Sequence, residues 1–166
     1  LYIMFIKINK NSILSFKNLK YKCVVGKNGT RLNKKEGDKY TPKGTFSIGK
    51  LYYRKDRIKK IDTKLSCQKI KKNMGWCNDF KSKYYNKVIK VNKKIKHEKL
   101  FRNDFKYDAL IDINYNKSPI IKKKGSAIFL HLTKNYKPTL GCIALKQNDF
   151  LSLVKLLNKN SKIKIE

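Results

Sequence analysis

Short apolar runs alternate with polar turns over the first 25 residues of the chain. Apolar runs occupy residues 5–8 and 13–16, and apolar side chains fall on every second position from 19 to 25. Residues rich in Asn, Ser and Lys separate these runs. A period of two, bounded by turn residues, is typical of half-buried strands joined by tight turns. This region is therefore predicted to form a β-meander, with Cys23 as a core residue.

The middle of the chain is less regular. The turn signal at 41–44 precedes an apolar strand at 45–48, and residues 107–115 alternate well enough for another strand. From about 53 to 103, lysines interrupt nearly every apolar run. A segment of this length without a clear period inside a compact domain tends to be functional or disordered. We predict one domain over residues 1–166, with a long irregular insertion around 53–103.

The C-terminal third carries the clearest pattern. Residues 127, 129 and 131 have the period of a strand, and a second short apolar run begins at Cys142, directly after Gly141. A hairpin-like return through residues 133–139 is expected to bring His131 and Cys142 face to face. Further on, residues 150, 153, 154 and 157 have helical spacing behind the N-cap candidates at 147–149, which predicts a helix through 158. A last strand is predicted at 161–165.

His131 and Cys142 are the residues most able to support chemistry. A thiol with an ordinary pKa of about 8.5 is only about 3% ionised at pH 7, so a nucleophilic cysteine needs a neighbouring base. His131 is the candidate base, and His97 is the alternative. Gly141 allows a tight turn, and the backbone amides of Gly141 and Cys142 are candidates for stabilising an oxyanion.

Composition adds a very large positive charge to this picture. The 166 residues carry a net charge of +31, yet only four of the 42 basic residues are arginine. The charge favours a polyanionic partner, whereas an A/T-rich gene would also supply many lysines. In either case the field is expected to attract anionic substrates and to lower the pKa of a thiol. The 40% of apolar residues indicates a folded protein.

Cofactor and membrane signals are weak. The four cysteines show no C-x-x-C spacing and only two histidines accompany them, so we expect no metal site and no cofactor. A disulfide between Cys67 and Cys77 is an alternative to four free thiols if the protein folds in an oxidising compartment. No apolar run approaches the ~20 residues of a membrane span. The apolar run at 1–6 is shorter than a signal-peptide core, so we expect no export signal in this chain.

The segment around His131 and Cys142 resembles the catalytic motif of the L,D-transpeptidase (YkuD-type) family. The shared features are GSAIFLH ending at His131, then PT-x-GC ending at Cys142 and followed by a hydrophobic residue, Ala and Leu. Residues 36–46 resemble the EGD and TP-x-G-x-F elements of the same family. The better-known branch has a histidine in place of Leu140 and an arginine in place of Ala144. Lys134, Lys137 and Lys146 are the candidates to replace that arginine.

The resemblance implies a fold and an activity. The fold is a mainly β sandwich or barrel of short strands, with a C-terminal helix followed by a last strand. The activity is transpeptidation of peptidoglycan stem peptides. In this reaction Cys142 forms a thioester with the L-centred third residue and releases D-alanine, and His131 transfers the protons. The candidate substrate-binding residues are Thr139, Trp76, His97 and Tyr107.

The resemblance also implies partners and a location. The acyl acceptor would be the amine of a second stem or of a lipoprotein lysine, and the protein would act as a monomer in the periplasm or cell envelope. Two alternatives remain. One is an L,D-carboxypeptidase of the same fold, in which water is the acceptor. The other is a non-catalytic module that binds an anionic polymer or nucleic acid, although no specific nucleic-acid motif is present.

Overall fold

The computed structural model describes residues 4–166. Within those residues, short strands predominate and one helix, α1 (Gln147–Val154), lies near the C-terminus. The strands are β1 (Phe5–Ile8), β2 (Ile13–Phe16), β3 (Leu19–Lys22), β4 (Thr30–Arg31), β5 (Thr41–Pro42), β6 (Gly44–Tyr53), β7 (Cys67–Lys69), β8 (Met74–Cys77), β9 (Val88–Lys90), β10 (His97–Lys99), β11 (Ala109–Ile113), β12 (Phe129–Leu132), β13 (Ile143–Leu145) and β14 (Lys162–Ile165). The predicted mainly β fold, with a C-terminal helix followed by a last strand, is confirmed.

One large sheet organises the described residues. Its strand order is β13, β12, β11, β6, β14, β1, β2, β3, and β7 pairs with β6. The antiparallel neighbours β1, β2 and β3 form the predicted meander. Val24, just after β3, forms an antiparallel bridge with Ala144 of β13. The two ends of the sheet therefore meet at β13, and the sheet is a nearly closed barrel.

The large sheet separates two apolar cores. Successive residues of a strand point to opposite faces. On one face Leu130 joins a core with Phe150 of α1, and both side chains are almost fully buried. On the other face Phe129 and Cys142 join a second core that contains Trp76. The candidate nucleophile thus lies on the face of the sheet that is turned away from the helix.

A small sheet covers the second core. Its strand order is β10, β8, β9, and we call these three strands the cap. Trp76 of β8 is buried and packs edge to face on Phe129, with ring centroids 5.0 Å apart. The cap lies within the segment 53–103, which was predicted to be irregular. Its strands have only three or four residues each, with lysines on exposed positions. Such short strands show too few alternations for a period of two to be detected in the sequence.

The predicted hairpin between β12 and β13 is wrong, because the two strands are parallel, with Leu130 opposite Ile143. The connecting loop does not turn straight back. It runs beside residues 24–27, where Thr139 bridges Gly26 and its carbonyl accepts from the amide of Lys27 at 2.8 Å. This detour returns the chain to the start of β12, so β13 leaves in the same direction as β12.

The helix differs from its predicted bounds at both ends. The N-cap is Lys146, whose backbone is extended and whose side chain makes no capping bond, rather than one of residues 147–149. The helix ends at Val154 instead of reaching 158. A turn follows it, closed by the amide of Asn158 donating to Oγ of Ser161 at 3.0 Å. That turn directs the chain into β14.

In the range 4–166, the helical residues offer neither the length nor the apolar character needed to cross a bilayer. The apolar run predicted to be too short for a signal peptide begins in residues 1–3, which lie outside the described residues.

We predict that Phe150→Ala destabilises the protein by about 3–5 kcal/mol, since the ring is fully buried between α1 and the sheet and its removal leaves a cavity. Leu156→Ala, which truncates an exposed side chain just after the helix, is the matched control and should cost less than about 1 kcal/mol. Urea unfolding followed by circular dichroism measures both. Equal effects of the two variants would show that α1 does not stabilise the sheet.

Candidate active site

Cys142 lies at the entrance to β13, with its side chain in the core beneath the cap. The residue is 9% exposed. Its thiol donates to the carbonyl of Ala127 at 3.2 Å, and its sulfur accepts from the amide of Phe129 at 3.3 Å. Ala127 lies just before β12, and Phe129 is the first residue of that strand. The sulfur is therefore held against the strand that carries His131.

His131 shares a face of the sheet with Cys142. It lies opposite Ala144 in the parallel pairing of β12 with β13, and residues two apart along a strand face the same side. A strand spacing of about 4.8 Å and a two-residue rise of about 6.6 Å give a Cα separation of about 8 Å. Across residues 4–166, no hydrogen bond joins the two side chains. The fold thus brings the predicted base and nucleophile together as neighbours, but not as a hydrogen-bonded pair.

The imidazole of His131 is fixed in one orientation. Its Nδ1 lies 3.0 Å from the carbonyl oxygen of Leu132. Because a carbonyl can only accept, Nδ1 carries the hydrogen, and Nε2 is then the unprotonated nitrogen of the neutral ring. The ring also packs edge to face on Tyr107, with centroids 5.3 Å apart. This arrangement leaves Nε2 as the proton acceptor.

Burial keeps both candidate groups neutral. It raises the pKa of the Cys142 thiol to about 12 and lowers the pKa of His131 to about 4. The positive charge of Lys34 lowers the pKa of this thiol, as expected, but burial outweighs it and the net pKa is raised. Lys34 is itself paired with Asp38 at 2.7 Å. At pH 7 the site therefore holds a thiol and an imidazole, not a preformed thiolate and imidazolium.

Asn86 is a central residue of the site that the sequence analysis missed. Its Oδ1 accepts from Nε1 of Trp76 at 3.0 Å and from the amide of Ala127 at 3.1 Å. Its Nδ2 donates to the carbonyls of Tyr115 and Asn116 at 3.1 and 2.9 Å. The side chain is buried and all its bonds join different segments. Asn86 therefore ties the cap to the chain that precedes β12.

Ala127 connects Asn86 to the nucleophile. Its φ of 54° is in the left-handed region, where a residue with a Cβ is strained. Its amide is held by Asn86 and its carbonyl accepts from the Cys142 thiol. The sequence signal at this position was ordinary strand alternation, which carries no information about φ. The strained backbone aims a carbonyl at the sulfur.

Thr139 and Gly141 shape the loop that carries Cys142. The hydroxyl of Thr139 donates to the carbonyl of Cys142 at 2.5 Å and accepts from the amide of Gly141 at 3.1 Å. The predicted oxyanion donor Gly141 is thus engaged within the loop in this structure. Gly141 has a φ of 148°, and a Cβ there would lie 3.0 Å from the carbonyl oxygen of Tyr40. Both constraints explain a glycine before the cysteine.

A buried acid–phenol pair adjoins His131. The hydroxyl of Tyr107, a predicted substrate-binding residue, donates to the carboxylate of Glu98 on β10. Burial raises the pKa of both groups. Arg102 lies over the Tyr107 ring at 5.1 Å and pairs with Asp104. Glu98 and Arg102 lie in the segment whose sequence showed no readable period, so their approach to the site could not be predicted from the pattern.

Glu36 and Asp38 make internal contacts rather than lying free in solvent. Glu36 accepts from the hydroxyl of Tyr85 at 2.6 Å and from Oγ of Ser126 at 2.9 Å. Asp38 holds the buried ammonium of Lys34, which lies 3.6 Å from the place where a Cβ on Gly141 would be. The contacts of Asp38 and Lys34 thus place this stretch beside the loop that carries Cys142.

Several predicted candidates lie away from Cys142. Nδ1 of His97 bonds the carbonyl of Ile95 at 2.7 Å, within the outer strand of the cap. Lys134 and Lys146 line a separate cleft of about 360 Å³, and Lys137 is exposed. The structure places none of these lysines in contact with Cys142 or His131 within residues 4–166.

All four cysteines are unbonded, so no disulfide joins Cys67 and Cys77. In the same range, no cluster of His, Cys, Asp or Glu could hold a metal ion.

Comparison with known proteins gives a family match. Residues 2–165 match the model of the YkuD family, described as the L,D-transpeptidase catalytic domain. No curated protein matches the chain.

Solved structures share the fold at low identity. The helical cell shape determining protein Pgp2 from Campylobacter jejuni is 16% identical with a TM-score of 0.53, and its K307A mutant is 17% identical with a TM-score of 0.51. Both alignments cover 99% of this chain and 47% of Pgp2, so the chain spans about half the length of that protein. An L,D-transpeptidase from Mycobacterium smegmatis is 10% identical with a TM-score of 0.44, over 99% of this chain and 58% of that one.

We predict that the rate of alkylation of Cys142 by iodoacetamide rises about tenfold per pH unit from pH 7 to pH 10 without a plateau. The reason is that burial raises the pKa of this thiol to about 12, and only the thiolate reacts. Mass spectrometry of the Cys142 peptide in a Cys67→Ser variant measures the rate without competition from the exposed Cys67. A plateau below pH 8 would instead reveal a preformed thiolate.

Proposed function

Because the chain belongs to the YkuD family of L,D-transpeptidase catalytic domains, we propose that it is a cysteine acyltransferase acting on peptidoglycan stem peptides. The observation that carries the proposal is the placement of the Cys142 thiol and the oriented His131 ring on one face of adjacent parallel strands. The cap covers both side chains and excludes water from them. Negative charge that develops on the substrate oxygen is stabilised more strongly by hydrogen-bond donors in such a site than in water. In this proposal the chain acts as one catalytic domain.

The first half-reaction forms a thioester. Nε2 of His131 takes the thiol proton while the sulfur of Cys142 forms a bond to the carbonyl carbon of the L-centred third residue. The tetrahedral intermediate then loses its C–N bond, and the imidazolium returns the proton to the departing amine. D-alanine leaves, and the third residue remains bound to Cys142. The amide of Phe129, which already donates to the sulfur, stabilises negative charge there as the proton departs.

The second half-reaction transfers the acyl group. An acceptor amine attacks the thioester carbon, and Nε2 of His131 takes its proton. The C–S bond then breaks, and the imidazolium returns that proton to the sulfur to regenerate the thiol. A second stem as acceptor gives a 3→3 cross-link, a lipoprotein lysine gives an anchor, and water gives a carboxypeptidase. Peptidoglycan as substrate implies action in the cell envelope.

Two auxiliary roles follow from the geometry. The amides of Gly141 and Cys142 are the proposed oxyanion donors, and for Gly141 this requires exchange of its bond with Thr139 for one with the substrate.

Arg102 is the cation we assign to the substrate carboxylate in place of the arginine absent at Ala144. It lies over the Tyr107 ring that packs on His131, and its side chain is 31% exposed. Its Nε and Nη2 bond Asp104, which leaves Nη1 for the carboxylate in this proposal.

We predict that the wild-type protein, mixed with a disaccharide tetrapeptide, releases D-alanine and forms an acyl adduct on the peptide containing Cys142, both visible by mass spectrometry. Cys142→Ser should lower the rate at least about 1000-fold, since a serine hydroxyl is a weaker nucleophile here. Cys67→Ser, which changes an exposed thiol, is the matched control and should leave the rate unchanged. The enzymatic proposal fails if the wild-type protein yields neither adduct nor D-alanine.

We predict that kcat/KM for D-alanine release stays constant from pH 7 down to pH 5 and falls only near pH 4. Protonated His131 cannot accept the thiol proton, and burial lowers its pKa to about 4 from the ordinary 6.5. Initial rates between pH 3.5 and 7 test this, with circular dichroism at each pH to confirm that the fold persists. An acidic limb near pH 6.5 would mean that a solvent-exposed histidine is the base.

A further inference from the structure

The nearly closed barrel has two different outer sides. On one side the outward residues Leu110 of β11 and Phe129 of β12 are buried in the core beneath the cap. The strands β14, β1, β2 and β3 follow in the sheet order and form the opposite side of the barrel. Their inward residues, such as Ile6 and Leu14, join the core that contains Phe150. We call the outer surface of these four strands the basic face.

Lysine is the main charged residue of the basic face. Inward apolar residues alternate with outward residues that are exposed or half-exposed. The outward lysines are Lys7, Lys20, Lys22, Lys162 and Lys164. The sequence places no Asp or Glu in residues 1–35, 39–55 or 150–165, and Glu166 follows β14 at the border of the face. Acidic residues are therefore kept away from this side of the barrel.

The strand register places like charges next to one another. Lys7 of β1 lies opposite Lys164 of β14, on strands about 4.8 Å apart. Like charges directly opposite one another destabilise a sheet. In the part of the chain that the structure describes, none of the five lysines takes part in a salt bridge, although Lys22 lies over the Tyr136 ring at 4.5 Å. An anionic partner would relieve this repulsion.

The shape of the face and one aromatic side chain indicate which anionic partner fits. Phe5 is 37% exposed and lies opposite Lys162, so an apolar ring stands among the ammonium groups. Lysine on a polar surface together with an exposed Phe is typical of surfaces that lie at a membrane interface. A linear polyanion is usually held in a groove that tracks its backbone, whereas the outside of a barrel is convex. The face therefore suits a bilayer better than a strand of nucleic acid.

We propose that the basic face binds the surface of an anionic phospholipid bilayer. The lysines contact the phosphate headgroups, and the Phe5 ring enters the interface. The proposal does not depend on the catalytic one. Because the cap lies on the opposite side of the barrel, the bound protein presents the cap and Cys142 away from the bilayer.

Co-sedimentation with vesicles tests the proposal. We expect the protein to bind vesicles of phosphatidylcholine mixed with phosphatidylglycerol, to bind less tightly at high salt, and not to bind phosphatidylcholine alone. The triple variant Lys7→Gln, Lys20→Gln, Lys164→Gln should bind about 100-fold more weakly, since each lysine at an anionic surface contributes about fivefold. Phe5→Thr should weaken binding about threefold, because part of an aromatic ring is no longer buried.

The matched control removes the same charge from the cap. The triple variant Lys90→Gln, Lys93→Gln, Lys94→Gln changes exposed lysines on β9 and in the loop that follows it. Its affinity should stay within about threefold of wild type, because salt screens charges on the far side of the barrel. Trp76, the one tryptophan of the chain, lies beneath the cap, so brominated lipids should leave its fluorescence unquenched. Thermal unfolding confirms that each variant is folded.

Each outcome decides the proposal. Loss of vesicle binding confined to the basic-face variants, without quenching of Trp76, supports it whether or not the protein releases D-alanine. Equal losses in the two triple variants would show that net charge alone drives binding, and strong quenching would place the cap on the bilayer. Either result overturns the proposal. Binding to soluble polyphosphate but not to vesicles also overturns it and assigns the face to a linear polyanion.

Discussion

The parallel pairing of β12 with β13 determines where both candidate catalytic side chains lie. In that register Phe129 and His131 share a face with Cys142 and Ala144, and the opposite face contributes to the core beneath α1. A shift of one residue would turn either Cys142 or His131 into the helix-side core, because side chains alternate strictly along a strand. The proposed chemistry therefore depends on this register, and α1 packs against the opposite face of the same strands.

Burial sets the protonation states of Cys142 and His131. A thiol with a pKa of about 12 and an imidazole with a pKa of about 4 cannot exchange a proton at rest near neutral pH. In the proposed reaction, the proton moves only as the sulfur forms a bond to the substrate carbonyl carbon, which couples ionisation to attack. The resting thiol would be poorly reactive, and interactions present only in the complex would offset the free energy of ionising it.

The sequence predicted the parts of the structure that depend on local pattern. The meander, the last strand and the buried face of α1 follow from periods of 2 and 3.6 residues, and the motif identified Cys142 and His131 as a pair. The direction of β13 was not predictable, because residues 133–142 make their turn by bonding to residues 24–27, a contact distant in sequence. The contacts of Asn86 likewise join segments distant in sequence, which leaves no periodic signal.

Asn86 links the cap to the candidate nucleophile. Its carboxamide bonds Trp76 of the cap and the amide of Ala127, whose carbonyl accepts from the Cys142 thiol. In the proposed reaction, the thiol must leave that carbonyl before it can give its proton to His131. The position of the cap and the release of the thiol proton are therefore connected through one buried side chain, Asn86.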